Sequence, residues 1–134
     1  MADGSKMAEP RVLLDSNICI YLIEGLSEPV RRRVETFAAG ELVTSAVAYA
    51  EVMRGIHPEN SVALANAESV FDMVPVLAFG LDAALEYRRL PLKRHSFDRL
   101  IAAHALSLGV PIATNNEVDF AGVPGLRIEN WTLP

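Results

Sequence analysis

Val12-Leu13-Leu14-Asp15-Ser16-Asn17 sets an apolar run directly against a carboxylate and two small polar residues. Residues 11–14 have the length and apolarity of a short buried strand. Residues 16–24 then follow a helical pattern, and Gly25 stops it. A strand, an acid at its carboxyl end and a helix form the opening of a strand–helix–strand unit. In an open parallel sheet, ligands bind at that end of the strands.

The same alternation continues outward. Ser27 and Pro29 open a second helix that runs to Ala39, with Gly40 behind it. Residues 41–44 read as a second strand. Thr44 or Ser45 caps a helix over 46–54, which Gly55 closes. Residues 60–72 are helical, and 74–77 form a third, short, proline-containing strand. A helix over 81–90 halts before Pro91. Ser96 is placed to cap a helix over 97–108, and Gly109 ends it. Residues 110–113 and 126–128 are the fourth and fifth strands, the last after the turn-rich Gly122-Val123-Pro124-Gly125. Strands alternating with helices predict an α/β layered domain with a mainly parallel five-stranded sheet over 11–134. Residues 1–10 are polar and read as a flexible lead-in without an apolar signal core.

At 134 residues, 51% hydrophobic and 22% charged, the composition is that of a globular domain large enough to fold without disulfides. One cysteine, Cys19, excludes an internal disulfide and suits a reducing cytoplasm. Its apolar neighbours mark it as buried filler. No apolar run approaches the ~20 residues that cross a bilayer. The net charge of −5 runs against the basic excess usual in nucleic-acid binders. An acidic cluster that holds a divalent cation resolves this, because such a site turns positive only when the cation binds.

The acids fall where the strands end. Asp15 follows the first strand, and Asn115, Asn116 and Asp119 follow the fourth. Asp98 lies in the first turn of a helix, and Glu51 lies two turns into the helix after the second strand. Each has a plain structural role available: capping for Asp15, a helix-dipole charge for Asp98, a salt bridge to Arg54 for Glu51. Glu51, however, follows the nearly uncharged Thr44-Ser45-Ala46-Val47-Ala48-Tyr49-Ala50, where a carboxylate is costly unless paired or bound to a cation. Carboxylates brought together share protons or a cation. Hard oxygen donors without a His or Cys cluster select Mg²⁺ or Mn²⁺ over zinc, and such ions promote phosphodiester hydrolysis.

At this point the chain resembles the PIN-domain ribonucleases, and within them the VapC-type toxins of toxin–antitoxin pairs. Val12 through Asn17 is similar to the family's opening strand and Asp-Thr-Asn, with Ser16 in place of Thr. Thr44-Ser45 through Glu51 and Gly55 resembles the second motif, whose Glu is a metal ligand. Asp98-Arg99-Leu100-Ile101-Ala102-Ala103-His104-Ala105 resembles the third, with Asp98 at the ligand position. Thr114-Asn115-Asn116-Glu117-Val118-Asp119-Phe120 resembles the fourth. Asn116 departs from an Asp common there, and Asp119 is the candidate to compensate. The resemblance implies a three-layer PIN-like fold, a homodimer, Mg²⁺- or Mn²⁺-dependent cleavage of RNA such as tRNA or rRNA, and a VapB-like antitoxin partner. By the same carry-over, Ser16 and Asn17 orient Asp15 or the substrate phosphate; their plain alternative is helix capping.

Arg88, Arg89, Lys93 and Arg94 form the densest basic stretch, just before Asp98. Lys93 and Arg94 are the candidate RNA-backbone contacts, against a solvated loop. Arg31-Arg32-Arg33 reads as the polar face of a helix, and Trp131 as an anchor for the last strand. His57, His95 and His104 have no metal-ligand spacing, and His104 reads as a packed or solvated residue. A phosphoacceptor receiver domain is one alternative, but Asp15 has no acidic neighbour, Ala78 and Phe79 follow the third strand, and no Lys follows Lys93. A PIN-like binding module without metal is the other and stronger alternative, kept open by Asn116.

Overall fold

The computed structural model describes residues 8–91 and 96–134. Most of the expected lead-in, and the candidate contacts Lys93 and Arg94, therefore lie outside the described residues. Five strands form one sheet: β1 (Val12–Leu14), β2 (Leu42–Ser45), β3 (Val76–Leu77), β4 (Ile112–Thr114) and β5 (Ile128–Asn130). Their order is β3-β2-β1-β4-β5, and every pairing is parallel. The helices are α1 (Ser16–Glu24), α2 (Glu28–Val34), α3 (Ala46–Arg54), α4 (Ser61–Met73), α5 (Leu81–Arg89), α6 (Phe97–Leu108) and α7 (Glu117–Phe120).

The three layers follow from the pleat of β1. Val12 and Leu14 face one side and join Ile18, Val30, Val52, Val70 and Trp131. Leu13 faces the other and joins Val43, Ile101, Ala105, Ile112 and Phe120. A strand covered on both faces has to be apolar throughout, which is why residues 12–14 show no alternation. Each fully buried leucine of this pair contributes about 1.5–3 kcal/mol of transfer free energy. β1 and β4 are neighbours at the centre of the sheet, so their carboxyl ends lie side by side.

Several boundaries differ from the sequence expectation. The second helix ends at Val34 rather than Ala39. Thr36 and Phe37 instead bond back three residues, to Arg33 and Val34. Phe37 turns inward and stacks on Trp131 with ring centroids 5.5 Å apart. Trp131 is thereby the anchor expected of it. Strand two is shifted by one residue, so Ser45 both ends β2 and caps α3 through its bond from Val47 N–H. β3 keeps only Val76 and Leu77, since Val74 closes α4 and Pro75 has no N–H to give. Strands four and five each begin two residues late, held in the register Ile112↔Ile128. The short α7 was not anticipated; Asn116 at its N-cap position makes no side-chain cap bond. Ser96 likewise occupies the N-cap position of α6 without the expected side-chain bond. No described helix is long and apolar enough to cross a membrane.

Candidate active site

Asp15 sits at the junction of β1 and α1. Its Oδ1 accepts from Ile18 N–H at 3.0 Å, which makes it the N-cap of α1. Its Oδ2 accepts from the Thr114 hydroxyl, delivered by the neighbouring strand β4. The residue is 4% exposed. Burial pushes its carboxyl up to about 6, and the nearby charge of Asp98 adds to the rise. The bonds from Thr114 and from the backbone at Ile18 and Asn17 hold it from rising further.

Glu51 and Asp98 reach the same place from α3 and α6. Burial raises the Glu51 carboxyl, Asp98 raises it further, and a bond from Ser16 opposes both. The plain alternative of an ion pair between Glu51 and Arg54 does not form; the Ser16 side chain is the neighbour that favours the charged form of Glu51. Glu51 Oε1 is buried and has no hydrogen-bond partner. Asp98 lies in the first turn of α6, as expected. The three acids thus share one site at the carboxyl edge of the sheet, with Asp98 electrostatically coupled to both others.

Around them runs a hydrogen-bonded rim. Asn17 Nδ2 donates to Asn115 Oδ1 at 3.0 Å, and Asn115 Nδ2 donates to the Tyr21 hydroxyl at 3.0 Å. Asn116 Nδ2 donates to Asp119 Oδ2 at 2.7 Å, so these two are bound to each other. Asn116 N–H also donates to Thr114 Oγ1, which connects the pair to Asp15 through one hydroxyl. The sequence places Thr114 in the fourth motif without a role of its own and gives no sign of Tyr21. Thr114 becomes legible only once β4 is known to pair with β1.

Residues set aside from the sequence behave accordingly. Burial pushes the Cys19 thiol up to about 12, so it is an inert core group. His104 is buried. Arg31 and Arg32 pair with Glu28, Arg31 also with Glu35, and Arg33 with Glu129, all on an exposed face.

The donor set fits a hard cation. It is all oxygen, two of its carboxyls are raised by burial and mutual repulsion, and one oxygen is an orphan acceptor. A cation relieves each of these at once. Among the described residues, no three His, Cys, Asp or Glu side chains are set closely enough to enclose an ion by themselves. A hard cation bound here would fill the rest of its shell with waters, as Mg²⁺ and Mn²⁺ commonly do.

A parallel three-layer sheet with carboxylates gathered at its carboxyl edge defines a class of α/β domain with an open oxygen-donor site. The PIN-domain model matches residues 12–126, and the chain belongs to that family. The chain is 34% identical to a protein of Shigella flexneri named tRNA(fMet)-specific endonuclease VapC, over 91% of this chain and 98% of that one. It is 30% identical to the protein of the same name from Salmonella typhimurium, over 90% and 98%. Among solved structures, the DNA-bound VapBC of Salmonella typhimurium superimposes with a TM-score of 0.79 at 28% identity, covering 91% of this chain and 98% of that chain.

Proposed function

We propose that this protein is a metal-dependent endoribonuclease, the toxin of a toxin–antitoxin pair, which hydrolyses RNA phosphodiesters at the Asp15–Glu51–Asp98 site. The observation that carries the proposal is the orphaned Glu51 Oε1 in a cluster whose burial and repulsion a bound cation would offset. The naming of relatives as tRNA endonucleases supports tRNA as the substrate class.

Asp15, Glu51 and Asp98 would hold Mg²⁺ or Mn²⁺. A bound ion of this kind polarises a phosphodiester and lowers the pKa of an attacking water. The protein's own part is to fix the donors. Thr114 and Ile18 N–H clamp both oxygens of Asp15, so its orientation is set before anything binds. Ser16 favours the charged form of Glu51, and the unpartnered Glu51 Oε1 would be open to the cation or to one of its waters. Asn17 and Asn115, locked to each other at the rim, offer amide N–H groups to phosphate oxygens. Asn116 and Asp119, bound together, support the site through Thr114. Lys93 and Arg94, on the segment leading to Asp98, supply positive charge for the RNA backbone.

The partner is a VapB-like antitoxin, as the solved VapBC assembly supports; on this reading the antitoxin covers the site, and the toxin itself works as a homodimer in the cytoplasm. The test is cleavage of total cellular RNA by protein freed of any partner, with Mg²⁺ or Mn²⁺, with EDTA, and with an Asp98→Asn variant. Discrete fragments that vanish in EDTA and in the variant are expected. Folded protein that neither binds Mn²⁺ nor cuts would instead be the inert PIN-like module.

A further inference from the structure

His104 makes a contact that metal binding, as argued above, does not use. It is 3% exposed, and its Nδ1 lies 2.8 Å from Ser45 Oγ. Ser45 Oγ already accepts from Val47 N–H, so its own proton is available to the imidazole. Phe79 meets the ring edge-on at 5.6 Å.

The positions of the two partners are the telling point. Ser45 stands six residues before Glu51, and His104 stands six residues after Asp98. Ser45 meets His104 at one end, and Glu51 feels Asp98 at the other. The packed helices α3 and α6 therefore run antiparallel, with a hydrogen bond at one end and two repelling carboxylates at the other. Ser45 is itself fixed in the sheet, paired with Leu77 of β3 at the end of β2. Without a tie, like-charge repulsion would be free to slide or splay α6 away from α3.

We infer that His104 is a positioning residue whose hydrogen bond to Ser45 sets the spacing of Glu51 and Asp98 from the far end of the helix pair. The inference rests on the metal-dependent reading of the site. It differs from a packing role in one respect: what matters is an acceptor or donor at the Nδ1 position, not the volume of the ring.

Three variants separate the two roles. His104→Asn places its amide where Nδ1 lies. His104→Gln is also polar but places its amide nearer Nε2. His104→Leu fills the space without any polar atom. Mn²⁺ affinity by calorimetry, kcat and KM on cleaved RNA, and metal-free melting temperature are measured for each. The tie predicts Mn²⁺ binding and kcat within about threefold of wild type for His104→Asn. It predicts at least tenfold losses in both for His104→Gln and His104→Leu, with KM nearly unchanged. Should His104→Leu fail to fold, the Asn and Gln pair decides alone. Equal Mn²⁺ affinity and kcat in wild type and His104→Gln would overturn the inference while leaving the metal site standing. A wild-type protein that neither binds Mn²⁺ nor cleaves RNA would overturn both.

Discussion

The Thr114 hydroxyl donates to Asp15 Oδ2 from the neighbouring strand, joining two residues 99 positions apart in the chain. The same Thr114 oxygen accepts from Asn116 N–H. One hydroxyl therefore fixes the carboxylate and the turn after β4 together. Thr114→Val keeps the shape of this fully buried residue and removes both bonds. Leaving buried polar groups unpaired costs about 1–3 kcal/mol, so urea unfolding at neutral pH is expected to show a loss of that order. The bond also favours the ionised form of Asp15. Its removal raises that pKa, and the acid limb of the cleavage profile is expected to move to higher pH. An unmoved limb would show that Asp15 does not set it.

Asp15 also ties stability to pH, and the sign follows from its raised pKa. Its carboxyl rises from 3.8 to about 6 on folding, chiefly through burial. Below the unfolded value both states are protonated and there is no penalty. As pH climbs through the folded value, the native state must carry a buried charge. The metal-free protein thus loses stability between about pH 4 and 6, by up to ~3 kcal/mol from this group. Asp15→Asn keeps an acceptor for Ile18 N–H and removes the charge. The stability difference between the variant and wild type is expected to grow in the variant's favour from pH 4 to 7. Urea melts in EDTA at both pH values measure it. A difference that is constant with pH would mean that Asp15 ionises normally.

Trp131 offers a stability prediction away from the acids. It is 4% exposed, stacked on Phe37, and its Nε1 donates to Glu129 Oε1 at 2.9 Å. Truncating a buried tryptophan costs about 3–5 kcal/mol in lost burial and cavity formation. Trp131→Ala is expected to lower the urea midpoint accordingly. A loss below about 1 kcal/mol would mean that the C-terminal residues are not docked as they stand here.

The layered α/β fold and the three central acids were legible because they rest on local signals. The apolar run 12–14, the glycine at 25 and the acid after the strand are all read within one short window. Strand ends were less legible because register is a tertiary property. Nothing near Val110 shows that pairing begins only at Ile112, where Ile128 and Leu13 meet it. The second helix was overrun because Phe37 reads as a helical position, yet it gains more by stacking on Trp131 from the far end of the chain. Glu51 looked pairable with Arg54 by spacing alone. The side chain that favours its charge, Ser16, is 35 residues away and came close only through the fold. The His104–Ser45 contact was beyond reach for the same reason.

The last prediction concerns Glu51, where metal-free stability and metal binding should move apart. In the free protein this carboxylate is a liability: burial and Asp98 both disfavour its charge, and Oε1 has no partner. Glu51→Gln removes the charge and keeps an oxygen able to accept from Ser16. Its melting temperature in EDTA is therefore expected to equal or exceed that of wild type. With Mn²⁺ the order should reverse. A ligand that binds only the native state stabilises it by about 2.7 kcal/mol at a hundredfold excess over Kd. Wild type is expected to gain that much at saturating Mn²⁺, whereas the variant, with a weaker oxygen donor, gains little and cleaves RNA at least 100-fold more slowly. Melting curves in EDTA and across a Mn²⁺ titration check both halves. Equal Mn²⁺ shifts in the two proteins would remove Glu51 from the ligand set and leave its orphaned oxygen to be explained by a proton instead.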